Sequence, residues 1–452
     1  MCMWKTVRSA ESDAAAGRIV GRLVTAAALL LVTSVAEAPA ADTKIADTDW
    51  PTWRGPLVGS PQHTNVPVAW SDTENVKWRT PLDGPGNSSP IVVAGRVFIT
   101  AANEDGSRRG LVCFDADTGK QLWRQDLKAK PKELTHETNP YCASSPATDG
   151  EHVYVWHGSA GAAAYDFDGN RLWHADLGEF THIWGYAASP VVVDGKVVLS
   201  CGPGVRVLLV ALDARDGSEV WRRELPEAQS KDEKEFKGSW STPTFLPASS
   251  VRTAAGEAAG QILISYPNEL RAFNVASGED VWKCQGLGDL AYTSPLLSAH
   301  QPPIAVAMSG YHGPAIACRT GGTGDITADA RLWQHAEKNP QRVGSGAIVG
   351  DHVYILNENG IAWCLELGSG KKLWEQRISS PSWSTMSHVD GRLYVTNMQG
   401  ETLVLRPNPE KAEVLATNKL GGELTRASLA FAGQRVYQRT YKHLYCFEAA
   451  EK

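Results

Sequence analysis

Short runs of β-branched and aromatic residues alternate with polar ones along most of the chain, broken at close intervals by glycine-bearing turns. Asp194-Gly195-Lys196-Val197-Val198-Leu199 and Gly391-Arg392-Leu393-Tyr394-Val395 are typical. A period of two puts successive side chains on opposite faces, so these runs predict strands. The strands belong to a longer repeat. Seven tryptophans, Trp78, Trp123, Trp173, Trp221, Trp282, Trp333 and Trp374, open the same short strand at intervals of 41 to 61 residues. That period holds four short strands with their turns, the size of one propeller blade.

Each unit begins with small residues: Ser88-Ser89-Pro90, Ser144-Ser145-Pro146, Ser189-Pro190, Ser241-Thr242-Pro243 and Thr293-Ser294-Pro295. Three looser starts lack the proline: Gly344-Ser345-Gly346, Ser384-Thr385-Met386 and Ala427-Ser428-Leu429. Eight starts face seven tryptophans. The first Trp strand, residues 76–82, precedes any start, and the last start has no Trp strand after it. Ring closure reconciles the two, with 76–82 supplying the outer strand of the final blade and removing the free edges. The seventh unit carries Ala416 where its tryptophan would stand. The fold class expected is all-β, an eight-bladed propeller of four-stranded antiparallel blades over 76–449; seven blades is the alternative. Residues 41–75, with Trp50-Pro51-Thr52-Trp53-Arg54, are expected to form an irregular segment packed on the ring.

The closing segment of each unit has a local logic. Asp115, Asp166 and Asp213 can hydrogen-bond the backbone of the following turn, and Gly119, Gly169, Gly217, Gly278 and Gly370 supply its positive-φ residue. The tryptophan then docks where one blade meets the next. Burying an indole removes ~150–250 Å² from water, at most ~4–6 kcal/mol. All seven are therefore assigned a structural docking role.

The first 40 residues read as an export signal: Lys5, Arg8, Arg18 and Arg22, then an apolar run from Leu23 to Ala36, then Ala38-Pro39-Ala40-Ala41. A periplasmic or extracellular location with no membrane span after cleavage is expected; an uncleaved anchor is the alternative. Net charge is −6, which argues against a nucleic-acid partner. Cys113, Cys364 and Cys446 fill a repeat position occupied elsewhere by Ala164, Ala211 and Ala272, a small buried slot that suits a free thiol. Cys142, Cys201, Cys284 and Cys318 remain open to pairing.

The motif Ala/Cys-x-Asp-x-x-Thr/Ser-Gly-x-x-x-Trp resembles the tryptophan-docking repeat of pyrroloquinoline quinone (PQQ)-like propellers. That group includes quinoprotein alcohol dehydrogenases and the outer-membrane assembly propeller lipoprotein. Cys113–Trp123 and Ala211–Trp221 fit with at most one substitution. Ala272–Trp282 has Asn274 for the Asp, Cys364–Trp374 has Glu366, and Ala164–Trp173 is one residue short. The opening Trp50-Pro51-x-Trp53-Arg54-Gly55-Pro56 is similar to exported planctomycete-type PQQ-like repeat proteins. The resemblance implies fold more than chemistry, because these repeats mark blades.

Candidate chemistry gathers in the loops that lead into the innermost strands and in one hairpin loop. These supply His136, Asn139, Tyr141, His182, Trp184, Trp240, Tyr292, Tyr311, His312, Arg319, Arg342 and Trp383. Trp240, Tyr292 and Trp383 stand three residues before the proline or its equivalent and should share one ring. Together these residues predict a ligand site at the channel mouth, with aromatic platforms, a cation from Arg342 or Arg319, and polar contacts from His136, Asn139 and His182. No catalytic set and no metal ligands are read. Asp166-x-Asp168-Gly169-Asn170 lacks the later Glu of a calcium loop, and Gly321-Gly322-x-Gly324 lacks a phosphate-loop context. There is no haem motif and no nucleophile elbow. The function expected is non-catalytic binding of a protein or cell-surface ligand, with no cofactor. One alternative is a dehydrogenase using PQQ with Ca²⁺; the chain lacks the vicinal cysteines of that subfamily. The other is a polysaccharide hydrolase or lyase using His136, His182 and His312.

Overall fold

Four antiparallel strands in chain order make each of the first seven blades, and the first lies innermost. Blade 1 runs Ile91–Val93, Arg96–Ala102, Arg108–Asp115 and Gln121–Lys128. The structure, a computed structural model, describes residues 45–57, 63, 65–129, 133–250, 259–336, 339 and 341–449. The expected signal segment 1–40 lies outside them. Eight such sheets form the ring, so the seven-blade alternative is set aside.

Strand Val76–Pro81 pairs antiparallel with His443–Glu448, Trp78 opposite Cys446. The N-terminal strand thus completes blade 8 and closes the ring. Across the ring, each docking indole donates to a backbone carbonyl in the turn of the next blade: Trp78 to Ala116 at 3.0 Å, Trp123 to Phe167, Trp173 to Ala214 and Trp221 to Val275, each at 2.9 Å. Trp333 reaches Leu367 and Trp374 reaches Asn408 in the same way. The turn glycine beneath the ring must lack a side chain for two reasons. Gly217 has φ +73°, and a Cβ there would lie 2.6 Å from the Trp173 ring.

Two departures from the repeat have local causes. Trp282 bonds instead to Gln261 Oε1 at 2.8 Å. The next blade lacks the Asp–Gly turn there and inserts Gly324–Asp325, which adds a short parallel fifth strand beside Asp280–Gln285. The seventh unit lacks its tryptophan, and the N-terminal segment brings Trp70 into the core cluster that contains Ala416, stacked on Phe447 at 5.1 Å. Trp70 is held by its N–H to Asn418 Oδ1 at 2.9 Å.

The same N-terminal segment crosses one end of the channel. Trp50 pairs with Val92 of blade 1 through two backbone bonds, Thr148 of blade 2 donates to Pro51, and Arg54 donates to Pro295 of blade 5. The slot cysteines 113, 364 and 446 lie opposite Trp123, Trp374 and Trp78 on neighbouring strands, fully buried. All seven described cysteines are free thiols.

Candidate functional site

The innermost strands begin with a closed circle of hydrogen bonds. Ser89 N–H donates to Ser145 Oγ (2.8 Å), Ser145 to Ser189 (3.0 Å), Ser189 to Thr242 (2.9 Å) and Thr242 to Ser294 (2.8 Å). Ser294 donates to Ser345 (3.0 Å), Ser345 to Thr385 (3.2 Å), Thr385 to Ser428 (2.9 Å) and Ser428 back to Ser89 (2.9 Å). Each of the eight starts supplies one hydroxyl. A buried N–H needs a partner, and here the neighbouring blade provides it.

Two residues before each hydroxyl, a side chain points into the channel, as the two-residue period of extended chain requires. In blade order these are Asn87, Ala143, Ala187, Trp240, Tyr292, Val343, Trp383 and Arg426, and all eight line a mouth cavity of about 340 Å³. Small residues on blades 1 to 3 leave the space; larger ones on blades 4 to 8 make the opposing wall. His136, Thr138, Asn139, Trp184, Tyr311 and Gln341 complete the rim, and Trp53 of the N-terminal segment also borders the cavity.

Seven of the twelve expected site residues therefore converge: His136, Asn139, Trp184, Trp240, Tyr292, Tyr311 and Trp383. Their rings form one aromatic patch. Trp184 lies 5.7 Å from Trp240, 6.1 Å from Tyr292, 6.4 Å from Tyr311 and 4.7 Å from Phe236. Phe236 and Tyr311 are 5.7 Å apart and each 49 % exposed. Asn139 fixes the Trp184 loop by donating to the carbonyls of Trp184 and Tyr186. Tyr311 and His312 hold left-handed φ values of +46° and +67°, a strained backbone that tends to mark functional loops.

The other five expected residues do not reach the cavity. Tyr141 covers the guanidinium of Arg109 at 4.5 Å beside the buried Arg109–Glu133 ion pair. His182 is buried behind Trp240, its Nε2 donating to the Glu235 carbonyl. His312 anchors its loop to the Asn339 carbonyl at 2.7 Å. Arg342 is 1 % exposed and staples the Ser309–Gly313 hairpin by donating to those two carbonyls; burial pulls its pKa down to about 10. Arg319 ends its strand opposite Ile304, at the far end from the mouth.

The cation at the mouth is Arg426, held over Trp383 at 4.8 Å and Tyr441 at 5.5 Å. No carboxylate pairs with it among the described residues. Its position two residues before Ser428 is the signal that applying the Trp240 rule to every blade exposes. Phe236 and Trp53 had no comparable signal.

The arrangement suits recognition better than acid–base work. His136 accepts from the Thr138 backbone N–H and shares a hydrogen bond with the Thr138 hydroxyl, and His182 and His312 bond to carbonyls, so none of the three meets a carboxylate. A calcium ion, which the quinoprotein resemblance implies, needs several oxygen donors with carboxylates among them. No carboxylate lines the mouth, and no group of three or more His, Cys, Asp or Glu among the described residues is placed to hold a metal. The residues present do not fit that ion.

Comparison with known proteins places the architecture. An assembly factor from Yersinia pestis, outer membrane protein assembly factor BamB, is 26 % identical over 69 % of this chain and 77 % of its own. The quinohemoprotein alcohol dehydrogenase ADH-IIG of Pseudomonas putida is 26 % identical over 52 % of this chain, which spans about a third (32 %) of that enzyme. Among solved structures, BamB from Moraxella catarrhalis superposes with a TM-score of 0.56 at 14 % identity, covering 83 % of this chain and 98 % of that one. The PQQ_2 family model, described as outer membrane protein assembly factor BamB, matches residues 106–285 and 268–425. With more than half its length so matched, the chain belongs to the PQQ_2 family.

Proposed function

We propose that this is an exported, non-catalytic propeller that captures a protein on its mouth face. The observation that carries the proposal is the aromatic patch of Trp184, Phe236, Trp240, Tyr292 and Tyr311, exposed at its rim and continuous with a concave wall. Clustered, partly exposed aromatics around a cavity are the usual anchors of a protein interface. Arg426 adds a positive charge held by two rings and the Tyr441 hydroxyl, with no carboxylate partner among the described residues, which favours a partner segment bearing aromatic and acidic residues. Relatives named as outer-membrane assembly factors support protein capture over chemistry, and the apolar leader supports export.

The test is photo-crosslinking in the exporting cell. A photoreactive residue replaces Tyr311 at the rim or Val414 on the exposed outer strand of blade 7. A discrete adduct is expected from position 311 only, and Ala187→Trp, which fills the mouth, should abolish it while the protein stays folded. Adducts that are identical from both positions, or that survive Ala187→Trp, would sink the proposal. A saturable rise in Tm with PQQ plus Ca²⁺ would favour the dehydrogenase instead.

A further inference from the structure

Beyond the hydroxyl circle, on the side away from the mouth, lies a second cavity of about 520 Å³. Its lining comes from residues that follow the circle in the chain, such as Pro243, Phe245 and Leu297, and from the N-terminal segment. Trp53 borders both cavities and so separates them. The walls include Phe245, Leu297 and Ile348. One charged group lines the space among the described residues, and it is Arg54.

Arg54 is a cation with most of its bonding capacity unspent. Its Nη1 donates to the Pro295 carbonyl at 3.1 Å, and its guanidinium lies 5.9 Å from the Trp53 ring centroid. No carboxylate pairs with it among the described residues. Burial without a counter-charge pulls its pKa down to about 10, so it remains charged at neutral pH. Arg54 is half-buried, a partly desolvated charge without a carboxylate partner, and a guanidinium presents a planar fork that matches carboxylate and phosphate oxygens. Thr242 and Ser294 border the same cavity, and both carry hydroxyls. Each accepts a backbone N–H in the circle and donates to no protein acceptor among the described residues. The chamber is thus of mixed character, with Arg54 and several hydroxyl-bearing residues on its wall beside the apolar Phe245, Leu297 and Ile348.

We infer that this cavity binds an oxyanion carried on an apolar body, a carboxylate or phosphate monoester, whose head pairs with Arg54 and whose body lies against Phe245, Leu297 and Ile348. The site is separate from the mouth and does not depend on protein capture there.

Calorimetric titration of the full chain with decanoate, hexyl phosphate, inorganic phosphate and decanol tests it. Saturable one-to-one binding of decanoate or hexyl phosphate is expected, and whichever binds tighter names the head group. Decanol and inorganic phosphate should bind at least about tenfold more weakly, since tenfold is about 1.4 kcal/mol and each lacks one half of the recognition. Arg54→Gln should weaken the anion by a similar factor while leaving the unliganded protein about as stable as before, because it removes a half-buried charge that has no carboxylate partner. Arg54→Lys should retain part of the affinity. Leu297→Trp, which narrows the chamber and spares the charge, should also weaken binding, so the inference does not hang on one variant's folding. It is overturned if neither amphiphile binds saturably, if decanol or inorganic phosphate binds as well as they do, or if Arg54→Gln leaves affinity unchanged.

Discussion

The hydroxyl circle makes a quantitative claim that two alanine substitutions can separate. Ser345 Oγ accepts the Ser294 N–H at 3.0 Å, and Ser294 is buried. Ser345 borders neither cavity, so Ser345→Ala leaves that N–H without a protein partner and opens no cavity where the hydroxyl stood. An orphaned buried donor costs ~1–3 kcal/mol. Ser145 plays the same part for the Ser89 N–H at 2.8 Å, but it lines the mouth cavity. There a water can replace the lost hydroxyl, and a bridging water restores most of the bond for ~0–2 kcal/mol of ordering. Ser345→Ala should therefore destabilise more than Ser145→Ala, by roughly 1–2 kcal/mol. Ser345→Thr, the residue used at this position in blades 4 and 7, should cost least. Urea denaturation followed by tryptophan fluorescence reads the midpoints, and amide exchange at Ser294 reads the bond itself. Equal midpoints for the two alanine variants, with unchanged protection at Ser294, would show that the circle contributes nothing to stability.

Two further expectations follow from side chains that the fold holds tightly. Gly217→Ala must accept φ +73° and push a Cβ against Trp173, whereas Gly195→Ala at φ +69° meets nothing within 4 Å. The first should cost ~2–4 kcal/mol and the second ~1 kcal/mol in urea midpoints, and equal costs would remove Trp173 docking as the reason for the glycine. His157 is fully buried with neither ring nitrogen bonded; burial, aided by nearby Arg109 and His174, pulls its pKa to about 3. The unfolded chain then binds a proton below pH ~6.5 that the native state refuses, so stability falls as pH drops from about 6.5 towards 3, by ~3 kcal/mol at pH 4. His157→Leu should flatten that slope, and an unchanged slope would count against the assignment.

The blades were legible because each carries the same physical problem and solves it with the same residues. A tryptophan, a turn glycine and a small start recur at fixed offsets, and the missing eighth tryptophan strand implied closure through 76–82. The exception at Ala416 was not legible, because its remedy comes from far along the chain. Trp70 stacks on Phe447 near Ala416 from some 350 residues away, and nothing in the local sequence announces it. The mouth was half legible for a related reason. Trp240, Tyr292 and Trp383 obeyed a visible register rule. Arg342 and Arg319 carry the expected charge in the expected loops, but packing commits them to a hairpin staple and to the opposite end of a strand. Arg426 follows the register rule and was missed because an arginine does not look like a tryptophan.

That register rule also explains why likeness of fold to both assembly factors and dehydrogenases carries no chemistry with it. The ring is held by backbone N–H groups on hydroxyls and by indoles on turn carbonyls. The side chain two residues before each hydroxyl faces the lumen and takes no part in the hydroxyl circle, although Asn87, Trp240 and Trp383 bond neighbouring loops. Eight positions are thereby free to vary around one opening, and here they read Asn, Ala, Ala, Trp, Tyr, Val, Trp, Arg. A ring that placed carboxylates there would acquire metal donors with no change to its blades. In this chain the positions supply three rings, an amide, small gaps and one cation, and no carboxylate.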